Sequence, residues 1–271
     1  MKQRHSQPAS RARRAAPFVC LCLLLSLAGC RKDQTATTTT NNAAATANAN
    51  AAAAQSPGET RCGVPYYPVR AGLEKQYRVT YERGAARAAA YTETYANIGP
   101  DSFTLRYQFP ELSVDTGWNC TPEGMVALEY GKLDFAQKPT GFKMETVGRT
   151  GVTVPAAERW REGQEWRSSY EIRAELAGPQ GASGRGSGTI EITNRVAGRE
   201  QITVPAGSYD ALKVESEMAM KLTVRVGQMT VPSNTSVRNT TWFAENVGMV
   251  KSVSAPGDFA GATTELVSIK Q

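Results

Sequence analysis

Two carboxylates flanked by tryptophans are the strongest candidates for chemistry in the sequence. Glu162 and Glu165 lie between Trp160 and Trp166 in the segment WREGQEW. Glycoside hydrolysis uses a pair of carboxylates, so this spacing is compatible with a glycan-processing enzyme. The segment is also typical of a solvated turn whose aromatic residues enter the core of the next strand. We favour the turn, because nothing in the sequence sets the distance between the two carboxylates.

The chain contains a single histidine, His5, and it lies in the N-terminal leader. Hydrolase triads and most zinc or non-haem iron sites depend on imidazole as a base or a ligand. We therefore expect no catalytic residue, no metal site and no cofactor in the folded part of the protein.

The leader has the pattern of a bacterial lipoprotein signal peptide. Residues 1–29 carry five basic and no acidic residues, and an apolar run, FVCLCLLLSLA, ends just before Cys30. The run is shorter than the roughly 20 residues that span a bilayer. The tetrad LAGC resembles the lipobox of bacterial lipoproteins, which implies cleavage before Cys30 and acylation of that cysteine by palmitate or a related chain. An ordinary signal peptide and a buried apolar helix are the alternatives.

The residue after the cysteine is Arg31 rather than aspartate. In the lipoprotein family this implies sorting to the outer membrane. The resemblance thus predicts a lipid-anchored envelope protein, facing the periplasm, with the membrane as its first partner.

Removal of the leader changes both the charge and the cysteine count. The formal charge of +6 includes the five basic residues of the leader, which leaves +1 and gives no electrostatic reason to expect nucleic-acid binding. Cys20 and Cys22 leave with the leader and Cys30 is acylated, so Cys62 and Cys120 are predicted to form a disulfide. A free nucleophilic thiol is the alternative.

Composition divides the rest of the chain into a tether and one domain. Residues 30–58, rich in Thr, Ala and Asn, hold no large apolar side chain, so we expect a disordered tether. Its taut reach is about 90 Å. Residues 59–271 are long enough to bury a core.

Alternation of apolar and polar residues predicts that this domain is all-β. Phe103, Leu105, Tyr107 and Phe109 alternate with polar residues, which is the period of a half-buried strand. We expect a curved antiparallel sheet or an open barrel, with a bend near Ser216 because the strand there is unusually long.

One alternating stretch is a candidate apolar ligand face. It comprises Met218, Met220, Leu222, Val224 and Val226. Ordinary core is the commoner role for such a face, but methionine adapts to irregular partners, so part of it could line a cavity for an acyl chain. Lys221, Arg225 and Arg238 would then be solvated charges on the opposite face.

Two similar segments suggest an internal duplication. TGWNCTPEGMV at 116–126 and TTWFAENVGMV at 240–250 share five of eleven residues. This predicts two related halves, about 62–135 and 155–271, with Trp118 and Trp242 in equivalent places. The second half would include a glycine-rich hairpin connection, residues 178–188.

Two motifs in the last third of the chain resemble TapB-like and related β-domain families of bacterial envelope proteins. The matching residues are Val204, Pro205, Ala206, Gly207, Tyr209, Ala211, Lys213 and Val214, followed by Trp242, Phe243, Gly248, Val250 and Lys251. The resemblance implies an exported, curved antiparallel β-fold and brings no catalytic residues with it.

Together these features predict a membrane-anchored lipoprotein with a non-catalytic binding domain, whose partner is a lipid-like or other apolar ligand. An assembly partner of an envelope protein complex is the first alternative, and a glycan-processing enzyme using Glu162 or Glu165 is the second.

Overall fold

The computed structural model of the chain describes residues 60–82, 89–131, 142–177, 183–255 and 261–271. The predicted signal peptide, Cys30 and the tether lie outside these residues. The described residues form thirteen β-strands and one short 3-10 turn, Ala157–Arg159. The strands are β1 Glu74–Tyr81, β2 Ala89–Ala96, β3 Ser102–Gln108, β4 Ser113–Thr121, β5 Gly124–Ala127, β6 Phe142–Gly151, β7 Val154–Pro155, β8 Glu165–Ala177, β9 Ser183–Val204, β10 Gly207–Val226, β11 Met229–Ala244, β12 Gly248–Ser254 and β13 Ala262–Lys270.

The strands form where apolar and polar residues alternate. In β3, Phe103 and Leu105 are buried whereas Arg106 is exposed. In β4, Val114, Thr116, Trp118 and Cys120 are buried on the same face. The class predicted from the sequence is confirmed.

All thirteen strands belong to one antiparallel sheet. Its order is β6-β8-β9-β10-β11-β12-β13-β1-β2-β3-β4-β5-β7. The two end strands, β6 and β7, are consecutive in the chain. Between them, the Val152 amide donates to the Arg167 carbonyl (3.0 Å) and the Thr153 amide donates to the Met125 carbonyl (2.9 Å). The sheet therefore curls until its two ends meet at this segment, although β6 and β7 are not paired with each other. We call this segment the seam.

Five strands extend from the curled part as a ribbon, which we call the arm. It consists of β6 and of the segments 168–177, 183–192, 217–226 and 229–238 of β8 to β11. β12 pairs only with Asn239–Ala244 of β11, so residues 229–238 form an edge of the sheet among the described strands. The register of β10 shifts against β9 between Lys213 and Val214, close to the bend predicted near Ser216.

Buried side chains form three clusters. The first surrounds Trp118, Trp160 and Trp166 and contains the Cys62–Cys120 disulfide, whose Cα atoms lie 5.3 Å apart. The second surrounds Tyr77 and Leu266 in the curled part of the sheet. The third lies on the arm. The disulfide predicted by elimination is present, and it fastens the segment before β1 to the end of β4.

The two similar segments both form hairpins, but their tryptophans differ. Gly124 and Gly248 have positive φ values of 141° and 91°. Trp118 is buried and stacks on Phe103 with ring centroids 5.5 Å apart. Trp242 is half-buried, and its Nε1 donates to the exposed Glu200. The equal environments expected for the two tryptophans are not found, and duplication of the whole halves stays a hypothesis.

The glycine-rich segment is only partly a connection. Residues 178–182 lie outside the described residues, but Ser183 begins β9, so Gly184, Gly186 and Gly188 are strand residues. The structure thus corrects the expectation that the whole segment is a hairpin loop.

Candidate functional site

The arm carries an apolar face that begins in the third cluster and ends in solvent. Tyr170, Ile172 and Ile190 are fully buried at its inner part. The residues predicted as the ligand face follow the same side of β10: Met218, Met220, Leu222 and Val224 are half-buried, and Val226 is 39% exposed. The face is therefore partly core and partly accessible.

Cross-strand register brings this face together. Met220 is opposite Ile190, which is opposite Tyr170, and Leu222 is opposite Gly188, which is opposite Ile172. Directly opposed residues in an antiparallel pair point to the same side of the sheet. Residues far apart in sequence thus form continuous apolar rows across the arm.

Gly188 allows the Leu222 side chain to lie against the backbone of β9. A Cβ placed on Gly188 would lie 1.9 Å from the Lys221 carbonyl oxygen and 2.9 Å from Leu222 Cδ2. Only a residue without a side chain leaves room for Leu222 to lie across β9. Gly188 therefore shapes the apolar face where it crosses β9.

Tyr130 covers the inner end of the face. Its ring centroid lies 5.4 Å from that of Tyr170, and its hydroxyl donates to the Met218 sulfur. The Tyr130 amide donates to Thr146 Oγ1 of β6 (2.9 Å), which holds the chain at this position. The inner end is thus closed by an aromatic residue, whereas Val226 at the outer end is exposed.

A cleft lies at the seam. Its volume is about 740 Å³, and its lining is mixed in charge. The polar and charged lining residues are Thr121, Glu123, Arg159, Glu165 and Arg167. Two hydrogen bonds to the Glu123 carboxylate lower its pKa. The larger effect comes from the Thr121 hydroxyl and the smaller from the backbone amide of Glu123 itself. Because Glu123 and Glu165 both line the cleft, they are the two carboxylates that the fold brings together there.

The structure separates the two carboxylates singled out in the sequence. Glu165 lines the seam cleft, whereas Glu162 is exposed in the turn before β8 and does not line it. Trp160 and Trp166 are buried with ring centroids 5.6 Å apart. Their Nε1 atoms donate to the Pro155 and Thr153 carbonyls, both at 3.1 Å. The segment WREGQEW is therefore a turn whose aromatic residues enter the core, as favoured from the sequence.

The curled part of the sheet contains a buried ion pair. Neither of its residues is among those predicted from the sequence. Lys75 and Glu93 are directly opposed on β1 and β2, and both are buried. Lys75 Nζ contacts Glu93 Oε1 and donates to the Tyr95 hydroxyl (2.9 Å), which donates in turn to Glu93 Oε1 (2.9 Å). The Lys75 ammonium also lies 5.7 Å from the ring centroid of Tyr67.

The sequence does hold a signal for this pair. Lys75 shares the buried phase of its strand with Leu73 and Tyr77, and Glu93 lies between Tyr91 and Tyr95. Opposite charges that occupy the apolar phase of neighbouring strands predict a buried pair, because burial of either charge alone is costly.

The described part of the chain offers neither a metal site nor a membrane-spanning helix. No cluster of three or more His, Cys, Asp or Glu residues could hold a metal ion among the described side chains. No helix in the described ranges is long and apolar enough to cross a membrane.

One family model matches part of the chain. A family model described as DUF3108-like matches residues 170–255, which include β10 to β12, all of β9 and the second half of β8. No curated protein matches the chain. The TapB-like resemblance therefore stays a prediction.

Three solved structures are similar to the chain. A protein from Bacteroides fragilis, described as exported and as having a YmcC-like fold, is 16% identical, with a TM-score of 0.46, over 77% of this chain and 100% of that one. A protein from Parabacteroides distasonis, described as a lipoprotein, is 13% identical, with a TM-score of 0.48, over 77% of this chain and 99% of that one. The hypothetical lipoprotein YmcC from Escherichia coli is 8% identical, with a TM-score of 0.32, over 73% and 85%.

Proposed function

We propose that this protein is a lipid-anchored protein of the bacterial cell envelope whose domain binds the acyl chain of a lipid without catalysis. The observation that carries the proposal is the apolar face of the arm. Its rows are fully buried at Tyr170 and Ile190, half-buried at Met218 to Val224, and open at Val226. An apolar face that runs from core to solvent is a surface on which a flexible hydrocarbon chain gains burial.

The anchor supports the proposal by placing the domain near lipid. Cys30 follows the apolar run of the leader, and residues 31–58 allow the domain to reach about 90 Å from the anchor. Acylation of Cys30 and sorting to the outer membrane through Arg31 are part of the proposed function.

The shape of the face favours an acyl chain over a compact ligand. From Met218 to Val226 the strip extends about 26 Å along β10. One leaflet of the hydrocarbon core is about 15 Å thick, so the strip is long enough for an extended acyl chain. Methionines at two of its positions can adjust to the chain's irregular shape.

Native mass spectrometry and a labelled fatty acid test the proposal. We expect the full chain purified from membranes to retain lipid and to bind a dansyl-labelled fatty acid saturably. Leu222→Gln should weaken this binding about tenfold, because it removes apolar contact area from the middle of the strip. Lys221→Gln is the matched control, since Lys221 directly precedes Leu222 in β10 and lies on the opposite face.

Two results would contradict the proposal. If neither lipid nor the probe binds, or if Leu222→Gln binds as tightly as the unsubstituted chain, the arm is not a lipid site. A stoichiometric protein that co-purifies in place of lipid would favour the alternative role as an assembly partner.

The seam cleft provides the test of the enzymatic alternative. If the purified protein cleaves a cell-wall or capsular glycan and Glu165→Gln abolishes cleavage, the non-catalytic proposal is wrong. Glu162→Gln is the control for this substitution, because Glu162 lies outside the cleft. We expect no glycan cleavage by any of the three proteins.

A further inference from the structure

The outer end of the arm presents apolar side chains to solvent. The turn that joins β10 to β11 is Gly227 and Gln228. Next to it, Val226 is 39%, Met229 is 67% and Val231 is 51% exposed. Val226 is opposite Met229, and Val231 is opposite Val224, so these side chains share one face. We call this end of the hairpin the tip.

The cross-strand row that lies one residue behind Val226 and Met229 is cationic. We call it the cationic row. Lys143, Glu175, Arg185, Arg225 and Thr230 are successive cross-strand partners on the opposite face of the arm. The row has three cations and one carboxylate, and all four charged residues are exposed.

Arg185 and Arg225 are directly opposed, which is unfavourable for like charges. Arg185 Nε lies 4.0 Å from Glu175 Oε1, whereas Arg225 forms no hydrogen bond or ion pair with any described residue. An anionic partner at this row would offset the repulsion between the two guanidinium groups.

We propose that the tip docks end-on into a phospholipid bilayer that contains anionic headgroups. Met229 and Val226 form the last pair of the β10–β11 ladder before the turn and would enter the boundary between headgroups and acyl chains. Arg185 and Arg225 lie one residue further back, about 3.3 Å along the strands, where their long side chains reach lipid phosphates. An apolar end followed by a cationic row matches the order of layers in a bilayer surface.

A second copy of the chain suits the tip less well. A symmetric contact between two tips would bring the same cations of both copies together. The bilayer is also the partner that the anchor at Cys30 would keep within reach. The proposed function contributes only this proximity, and the tip can dock whether or not the apolar face binds an acyl chain.

Site-directed fluorescence of the full chain tests the docking. Met229→Cys is labelled with a nitrobenzoxadiazole probe and reconstituted with vesicles of phosphatidylethanolamine and phosphatidylglycerol. We expect blue-shifted emission and quenching by nitroxide-labelled lipid. Ser208→Cys is the control, because Ser208 is exposed at the far end of the paired strand β10, about 60 Å along that strand from Val226. The chain without an added cysteine is carried through labelling to show that no other thiol reacts.

Substitution of the two arginines of the cationic row is tested in the same assay. Arg185→Gln with Arg225→Gln should lower the ratio of inserted to free probe about 30-fold, because each basic residue near an anionic surface contributes to docking. The intact mass of the same preparation shows whether Cys30 is acylated, so a missing anchor and a non-docking tip are distinguishable results.

Three outcomes would overturn the proposal. The emission at position 229 could be unchanged by anionic vesicles, or it could change equally at position 208. It could also shift without vesicles as protein concentration rises, which would mean that a second copy covers the tip.

Discussion

At the residue scale, Lys75 and Glu93 place two opposite charges in contact inside the protein. The carboxylate and the ammonium are both buried and share the Tyr95 hydroxyl. Removing one partner of a buried pair leaves an uncompensated charge, whereas replacing both with apolar residues is often close to neutral. The pair therefore makes a clear prediction about coupling.

We expect Lys75→Met to lower the free energy of unfolding by about 3–5 kcal/mol. The double variant Lys75→Met with Glu93→Leu should recover most of this loss, because it leaves no buried charge. Urea denaturation of both variants and of Glu93→Leu alone completes the cycle. Additive losses in the double variant would show that the two residues do not stabilise each other.

The tyrosines around this pair predict a loss of stability in alkali. Burial, and then the negative charge of Glu93, raise the pKa values of Tyr77 and Tyr95 well above the usual 10.0. The folded state therefore keeps protons that the unfolded chain releases. The stabilisation is complete below about pH 10 and is lost as the pH rises towards the folded pKa values.

Urea denaturation at several pH values measures this effect. Each buried tyrosine should contribute up to about 1.4 kcal/mol of lost stability per pH unit above pH 10. Tyr77→Phe should remove the contribution of one proton from this slope. The idea fails if phenolate absorbance of the folded protein rises with the ordinary pKa for all of its tyrosines.

At the scale of elements, β9 depends on a glycine where the apolar face crosses it. Gly188→Ala should destabilise the protein by about 1–3 kcal/mol or more, because the new Cβ would meet the Lys221 carbonyl at 1.9 Å. Gly186→Ala is the matched change in the same strand, where the nearest atom is 3.3 Å away. Differential scanning calorimetry should rank Gly186→Ala as the milder substitution. Equal losses would show that the close approach of the Lys221 carbonyl does not restrict position 188.

The two similar hairpins make a second prediction at this scale. Trp118→Ala should cost about 3–5 kcal/mol, as expected for a large aromatic residue in the core. Trp242→Ala should cost clearly less, because Trp242 is half-buried and bonded to the exposed Glu200. Chemical denaturation of the two variants compares them directly. Equal costs would indicate that the two hairpins are equivalent after all.

At the scale of the whole molecule, the proposed anchor at Cys30 would determine where the domain acts. Cys30→Ala should release the protein from the membrane fraction or leave it unprocessed, because the acyl chains have no other attachment site at the lipobox-like tetrad. Cys22→Ala is the control, since Cys22 lies within the apolar run of the leader and the proposed cleavage before Cys30 would remove it. Unchanged fractionation of Cys30→Ala would contradict the lipoprotein assignment.

Several properties of the protein could be predicted from local sequence. The alternation around Phe103 and Leu105 predicts a half-buried strand. The face to which each side chain points follows from its position in the strand alone, because successive side chains point to opposite faces. The pairing of Cys62 with Cys120 followed from elimination of the other cysteines. The interpretation of WREGQEW as a turn that leads aromatic residues into the core agrees with the structure, since Trp160 and Trp166 are buried.

Only the tertiary structure decided which faces meet. Alternation places Met220 and Leu222 on one side of β10, but it cannot say that Ile190 and Gly188 lie opposite them. In the same way, it cannot bring Lys75 to Glu93, or place Glu165 on the seam cleft and Glu162 off it. The physical reason is that strand register depends on the packing of many distant residues at once, and a shift of one residue would turn each side chain to the other face.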